Sequence, residues 1–311
     1  MTTTSRPAPA YPSSVDGPPR ADREVLSSRL LASAARTSYD PLVDIDWSAP
    51  LPDDLYGLSP EWSSLHGTRL WDGLSRAEQV RLTKHELCSM SGVGIWFEMI
   101  LMQLLLRDVY DDDPAQPHVQ FALTEIADEC RHSVMFAKVA ERYGCPSYGP
   151  SRRARELGRW FKTLGRGPAA YAAILVAEEI LDVFQRDMIR DERVQPLSRE
   201  VSRIHVVEEA RHMRFAREEI VRRAPSLSRV ERAHQRGVLA TVALVIVRSL
   251  VHPDVYAAVG LDVPAAVRAA RSNEAYAERL RSAAGPLVGM LRDAGLIGGP
   301  SELLWRRAGL L

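Results

Sequence analysis

The 311-residue chain has no net charge, because its 40 lysines and arginines balance its 40 aspartates and glutamates. Without an excess of positive charge, the sequence offers no electrostatic case for binding nucleic acid or an anionic membrane surface. It contains only three cysteines, Cys88, Cys130 and Cys145. They form no spaced pair, so neither a disulfide framework nor a zinc–cysteine site is expected. We therefore expect a protein of the reducing cytoplasm.

The sequence also lacks a targeting signal and a long apolar segment. The longest apolar run, residues 238–247, is too short to span a bilayer and predicts a buried helix. Residues 1–22 contain five prolines and no basic-then-apolar pattern, which indicates a disordered tail and not a signal peptide. Residues 23–311 are then expected to form a single domain.

Helical patterning dominates the chain after residue 75. Ser75 and Glu78 form the pattern of a capping box that opens the first long helix. Residues 38–73, rich in proline, aspartate and tryptophan, predict an ordered but irregular segment. No alternation typical of strands persists, so an all-α bundle with additional helices is expected. The predicted helices cover about residues 76–109, 117–143, 152–164, 168–193, 196–223, 228–251 and 264–294.

Two short stretches, eighty residues apart, have nearly the same sequence. They read Asp128-Glu129-Cys130-Arg131-His132 and Glu208-Glu209-Ala210-Arg211-His212. In each, a glutamate and a histidine three residues apart share one helix face, about one turn from each other. Carboxylate plus imidazole suits iron, manganese or zinc better than calcium or magnesium, which prefer oxygen ligands alone. Two copies therefore predict a carboxylate-bridged two-metal centre between facing helices, with Glu129, His132, Glu209 and His212 as ligands.

A bundle of this kind also needs one lone glutamate from each of two further helices. Glu98 lies in the apolar stretch 95–102, where a buried carboxylate is costly unless it is paired or bound to a metal. Glu178 shares a helix face with apolar residues, whereas its neighbour Glu179 lies on a more polar strip. We therefore predict Glu98 and Glu178 as the remaining carboxylate ligands.

His205 makes the two copies unequal. It lies four residues before Glu209 and seven before His212, so all three side chains occupy one helix face. A core histidine bonded to the backbone is the alternative, but the metal interpretation makes His205 a third nitrogen ligand. The equivalent position of the first copy holds Glu125, for which the roles of ligand, proton carrier and supporting acid all remain open.

The acid that precedes each ligand glutamate, Asp128 or Glu208, is suited to support the centre. Such an acid accepts the free N–H of a ligand histidine, which fixes the tautomer and raises the basicity of the ring. Arg131 and Arg211 are then placed to neutralise these acids. For each arginine taken alone, an ordinary ion pair on the helix surface is an equally good explanation.

These four glutamates and three histidines together resemble the ferritin-like diiron N-oxygenase family typified by para-aminobenzoate N-oxygenase. The resemblance implies a ferritin-like four-helix bundle that holds two iron ions and uses O2 as co-substrate. It further implies oxidation of a small-molecule amine, typically an arylamine to hydroxylamine, nitroso and nitro products, in a biosynthetic pathway. An external electron donor and a homodimer belong to the same expectation. The motifs that carry the resemblance, within roughly residues 75–225, are Glu98, Glu129-x-x-His132, Val176-Ala177-Glu178, Val194-Gln195-Pro196 and His205-x-x-x-Glu209-x-x-His212.

A carbon hydroxylase or desaturase on the same scaffold is the main alternative, because substrate choice depends on the pocket and not on the metal ligands. Iron storage explains neither the irregular N-terminal segment nor His205. A radical-generating subunit is disfavoured because Phe136, and not a tyrosine, stands one turn after His132.

Overall fold

A computed structural model describes residues 22–311, so the predicted tail over residues 1–22 lies almost wholly outside the described part. No strand occurs within residues 22–311, where the single β-bridge joins Tyr56 to Val194. The all-α prediction is therefore confirmed. The helices are α1 (Arg23–Arg36), α2 (Pro41–Asp44), α3 (Arg69–Asp72), α4 (Arg76–Asp108), α5 (Pro117–Arg142), α6 (Arg152–Leu164), α7 (Pro168–Arg190), α8 (Pro196–Arg223), α9 (Arg229–Ser249), α10 (Asp254–Ala257), α11 (Val263–Arg271), α12 (Glu274–Asp293) and α13 (Glu302–Ala308), with 3-10 turns at Pro60–Trp62, Ala224–Ser226 and Gly299–Ser301.

The four long helices begin where the sequence provides start signals. At α4 the Ser75 hydroxyl accepts from the backbone N–H of Glu78, whose side chain binds back to Ser75, as the capping box predicts. The other three long helices, α5, α7 and α8, each carry a proline in the first turn. Proline is favoured there because the first N–H groups of a helix have no partner inside it.

Helices α4, α5, α7 and α8 form the central bundle, in which α4 packs along α5 and α7 packs along α8. The N-terminal α1 covers α5 and α8, while α9 and α12 cover α7. The irregular segment closes one end of the bundle, because the Gln195 side chain between α7 and α8 donates to the carbonyls of Pro52 and Leu55. The inward-facing residues of the central helices are buried.

Two sequence predictions about the C-terminal third need correction. The single helix predicted over residues 264–294 is wrong, because the chain breaks between α11 and α12. Asn273 causes the break: its side-chain oxygen caps α12 at Tyr276, and its amide donates to the carbonyls of Ser64 and His66. The apolar run in α9 is buried on one face only, where Leu239, Ala240, Ala243 and Ile246 lie.

By length and composition alone, two helical segments are apolar enough to cross a membrane. They are Arg76–Asp108, whose most apolar window is 61% buried, and Arg229–Ala257, whose window is 33% buried. The apolar side chains of α4 are largely the core of the bundle. Absence of a membrane span stays a prediction from the sequence.

Candidate metal centre

The bundle brings all seven predicted ligands into one cluster in its interior. None of the seven is more than 2% exposed. Their ligand atoms fall into four overlapping groups, and within each group the atoms lie within 4.8 Å of one another. The groups are Glu98, His132 and His205; Glu125, Glu129 and His212; Glu129, His132 and Glu209; and Glu178, His205 and Glu209.

His132 and His212 present equivalent nitrogens to the carboxylates. Nδ1 of His132 lies 3.3 Å from Glu129 and 3.2 Å from Glu209. Nδ1 of His212 lies 3.0 Å from Glu209 and 3.3 Å from Glu129. Both rings therefore direct Nδ1 into the cluster, between the same two glutamates. Each of those glutamates therefore lies beside both histidines and would hold the metal ions together with them.

The supporting acids act across the bundle and not along their own helices. Nε2 of His132, on α5, lies 2.8 Å from Glu208 on α8. Nε2 of His212, on α8, lies 3.2 Å from Asp128 on α5. Each acid thus holds the N–H of the histidine on the facing helix, which leaves Nδ1 free for a metal.

Arg211 joins the two acids, because its guanidinium lies 3.4 Å from Asp128 and 3.8 Å from Glu208. Arg131 forms a second, partly exposed ion pair with Asp128. Glu208 also accepts from the backbone N–H of Tyr39, in the segment after α1. These contacts hold both acids in place, and the N-terminal segment contributes to the support.

His205 faces the other side of the cluster. Its Nε2 lies 3.8 Å from Glu209 and 4.0 Å from Glu178, and its ring packs against Phe136. The side-chain oxygen of Gln185 lies 2.8 Å from Nδ1 of His205, so the N–H sits on Nδ1 and Nε2 is free to bind a metal. Gln185 thus does for His205 what the two acids do for the other histidines.

Sequence reasoning missed Gln185 and also Ser133, whose hydroxyl donates to the carboxylate of Glu98. The spacing of Gln185, seven residues after Glu178 and therefore on the same face of α7, was a usable signal. Glu179, set aside in favour of Glu178, forms an ion pair with Arg217 instead of entering the cluster.

The protonation of the metal-free cluster reflects its excess of buried carboxylates. Burial and the neighbouring Glu129 raise the pKa of Glu98 well above its usual value. Burial and Glu209 do the same for the pKa of Glu178. Burial opposes the charged form of His132 and His212, yet the adjacent carboxylates raise the pKa of both rings well above the ordinary histidine value. His205 differs, because burial and the nearby His132 lower its pKa to about 3.

The residues fit a pair of divalent ions. Buried carboxylate oxygens normally have hydrogen-bond donors. Within residues 22–311, four carboxylate oxygens of the cluster find none; they belong to Glu125, Glu129, Glu178 and Glu209. The cluster supplies four carboxylates and three imidazoles, and several of the carboxylate oxygens have no hydrogen-bond donor in the described part of the chain. This set of ligands matches the donor set of two iron or manganese ions.

Glu125 lies beside Glu129 and His212, and one of its oxygens has no donor among the described residues. Burial, opposed by His212, raises its pKa to about 8. Although it occupies the position equivalent to His205 in sequence, it joins a different group of ligands. Glu125 is therefore placed to act as a ligand, as a proton carrier or as a supporting acid.

Comparison with known proteins supports the resemblance to the N-oxygenase family. The family described as "P-aminobenzoate N-oxygenase AurF" matches residues 20–295. The curated relatives include the uncharacterized proteins Rv0885 of Mycobacterium tuberculosis and Mb0909 of Mycobacterium bovis, each 30% identical over 217 residues. Each alignment covers 67% of this chain and 63% of the relative, so the chain spans somewhat less than two thirds of their length.

Proposed function

The chain belongs to the p-aminobenzoate N-oxygenase AurF family, and from this premise we propose that it is a diiron oxygenase that uses O2 to oxidise an amine nitrogen. The membership confirms the resemblance seen in the sequence. An arylamine is the proposed substrate class, with hydroxylamine, nitroso and nitro compounds as successive products. A role in a biosynthetic pathway belongs to the same proposal.

The observation that carries this proposal is the third histidine. His205 lies in the same buried cluster as the six ligands of a symmetric diiron bundle, and it belongs to two of the four ligand groups. An additional imidazole makes the centre richer in nitrogen on one side. Such a donor set is expected to change the reactivity of the metal pair, because ligand type and the surrounding hydrogen bonds tune a metal.

In the proposed enzyme Glu98, Glu129, His132, Glu178, His205, Glu209 and His212 would hold the two ions. When bound, the iron pair supplies the electrons and the Lewis acidity that O2 chemistry requires. The surrounding residues keep the ligands in place: Asp128, Glu208 and Gln185 each fix one imidazole. The apolar ring of Phe136 packs against the His205 ring.

The direct test loads purified protein with iron, reduces it, exposes it to O2 and follows a panel of arylamines for nitroso and nitro products. We expect about two irons per chain and oxidation at nitrogen. Glu209→Ala or His212→Ala should remove most of the iron, whereas His234→Ala, at an exposed position outside the cluster, should not. Wild-type protein that folds but binds no iron would contradict the proposal, and oxidation at carbon alone would favour the hydroxylase or desaturase alternative.

Several further expectations belong to the proposal and rest on the family. We propose a soluble, cytoplasmic homodimer that receives electrons from an external donor and binds neither nucleic acid nor membrane. Sedimentation of the iron-loaded protein measures the oligomeric state. Turnover with alternative reductants tests the need for a donor.

A further inference from the structure

The metal cluster is closed to solvent, so a substrate needs a route to reach it. Every predicted ligand is almost completely buried. The question of access rests on the proposed function, because it concerns the path by which an arylamine approaches the metals. Three cavities in the described residues define one such path.

The first cavity, which we call the outer groove, opens at the surface between α4, α6 and α9. Its volume of about 840 Å³ lies in the range of roughly 300–1,000 Å³ that is typical of small-molecule sites. Trp96, Leu157 and Trp160 contribute apolar walls, and Arg166 and His234 add polar groups. The groove therefore suits an aromatic ring that carries a polar substituent.

Two small inner cavities continue from the outer groove toward the metals. The inner cavity nearer the groove has a volume of about 10 Å³ and shares Phe97 and Ile246 with the outer groove. The inner cavity farther from the groove has a volume of about 20 Å³ and shares Met90, Gly94 and Leu181 with the nearer inner cavity. Neither has room for more than a water-sized molecule. Each space therefore shares part of its wall with the next.

The inner cavities end beside the ligands. The inner cavity nearer the groove is lined by Ala177, the residue before Glu178. The inner cavity farther from the groove is lined by Phe136 and Gln185, two of the residues that contact the His205 ring. The series thus connects an open apolar groove with the side of the cluster that carries the third histidine.

We propose that the arylamine enters through the outer groove and passes between Phe97 and Ile246, which act as the gate to the metal centre. The gate is closed in this structure, since Phe97 is 4% exposed and Ile246 is 4% exposed. Opening requires rotation of these side chains, and such gating steps often limit turnover.

The test compares Ile246→Trp, which fills the passage, with Val247→Trp on the same helix. Val247 is half-buried but lines none of the three cavities, so it is a matched control. The first readout is the rate at which catechol, an aromatic ring as large as aniline, forms its coloured complex with the oxidised iron centre. The second readout is kcat/KM for the arylamine that the wild type oxidises best. Iron content and thermal unfolding show whether each variant is intact.

We expect Ile246→Trp to lower both the catechol rate and kcat/KM by roughly tenfold or more, because access is blocked, while Val247→Trp stays within about twofold of wild type. Phe97→Ala should raise the catechol rate, since it removes the other half of the gate. If Ile246→Trp binds two irons and matches the wild type in both readouts, the route is elsewhere.

The two readouts separate this proposal from the proposed function. If the wild type oxidises no arylamine but Ile246→Trp still slows catechol, the route stands and the proposed chemistry fails. If arylamines are oxidised and Ile246→Trp changes neither rate, the chemistry stands and the gate is refuted. If Ile246→Trp does not fold, a normal catechol rate in Phe97→Ala overturns the gate.

Discussion

Loading the metal-free protein with two divalent ions should release protons near pH 6.5, because four of the predicted ligands, Glu98, His132, Glu178 and His212, have pKa values well above their ordinary values. Burial and neighbouring carboxylates disfavour the charged forms of Glu98 and Glu178 and so raise the pKa of both. His132 and His212 hold protons because the surrounding carboxylates favour imidazolium. His205 contributes none, since its pKa of about 3 keeps it neutral. The metals replace these protons, because carboxylates and imidazoles bind them only when deprotonated.

The release can be measured without redox chemistry by adding manganese or zinc to weakly buffered, metal-free protein with a pH indicator. Calorimetric titration in buffers of different ionisation enthalpy gives an independent count. The sign of the pH dependence follows: all four groups have raised pKa values, so acid favours the protonated, metal-free form and metal affinity rises with pH until these groups have titrated. Release of one proton or fewer, at full occupancy, would refute this account of the cluster.

The same count resolves the role of Glu125. Its pKa of about 8 means that it holds a proton at pH 6.5, and a ligand role would add one further proton to the total. In that case Glu125→Gln should lower the count by one and weaken binding. A count that is unchanged in Glu125→Gln would leave Glu125 as an acid outside the metal shell.

Three further predictions follow from the buried side chains of Asp128, Gln185 and Glu86. Asp128→Asn should weaken metal binding by roughly 10- to 100-fold, because it removes the acid that orients His212; competition with a chelator measures this, and an affinity equal to wild type contradicts it. Gln185→Leu should lower metal affinity and N-oxygenation together, because His205 loses its acceptor; normal spectra and turnover would show that the contact is dispensable. Burial raises the pKa of Glu86 to about 7, so folding stability should fall by about 3 kcal/mol as pH rises from about 4.5 to 7; urea unfolding should show that Glu86→Gln loses this dependence, and an identical pH profile would refute it.

The bundle and the clustering of the seven predicted ligands were predictable because they follow from short-range chemistry. A glutamate and a histidine one turn apart can be recognised in the sequence without knowing what they face. Glu98 and Glu178 could be found as acids in apolar stretches, since a buried carboxylate needs a cation or a proton. The structure places both in the predicted cluster.

The supporting contacts could not be predicted, because they depend on how the helices are aligned with one another. The sequence suggested that Asp128 and Glu208 assist a ligand histidine but did not indicate which one. The answer, the histidine on the facing helix, is fixed by the packing of α5 against α8. In the same way the break at Asn273 depends on its contacts with residues 64 and 66, more than 200 positions earlier.

The shared guanidinium of Arg211 makes the two halves of the centre interdependent. Asp128 orients His212, Glu208 orients His132, and Arg211 contacts both acids. Removing one acidic charge lets Arg211 shift toward the other acid, and removing both leaves a 6% exposed guanidinium without either carboxylate. The effects of Asp128→Asn and Glu208→Gln on metal affinity should therefore not add, and the interaction energy should be about 0.5–3 kcal/mol, as for residues in one network. A double-mutant cycle on the affinity for manganese measures this energy, and strict additivity would show that Arg211 does not couple the acids.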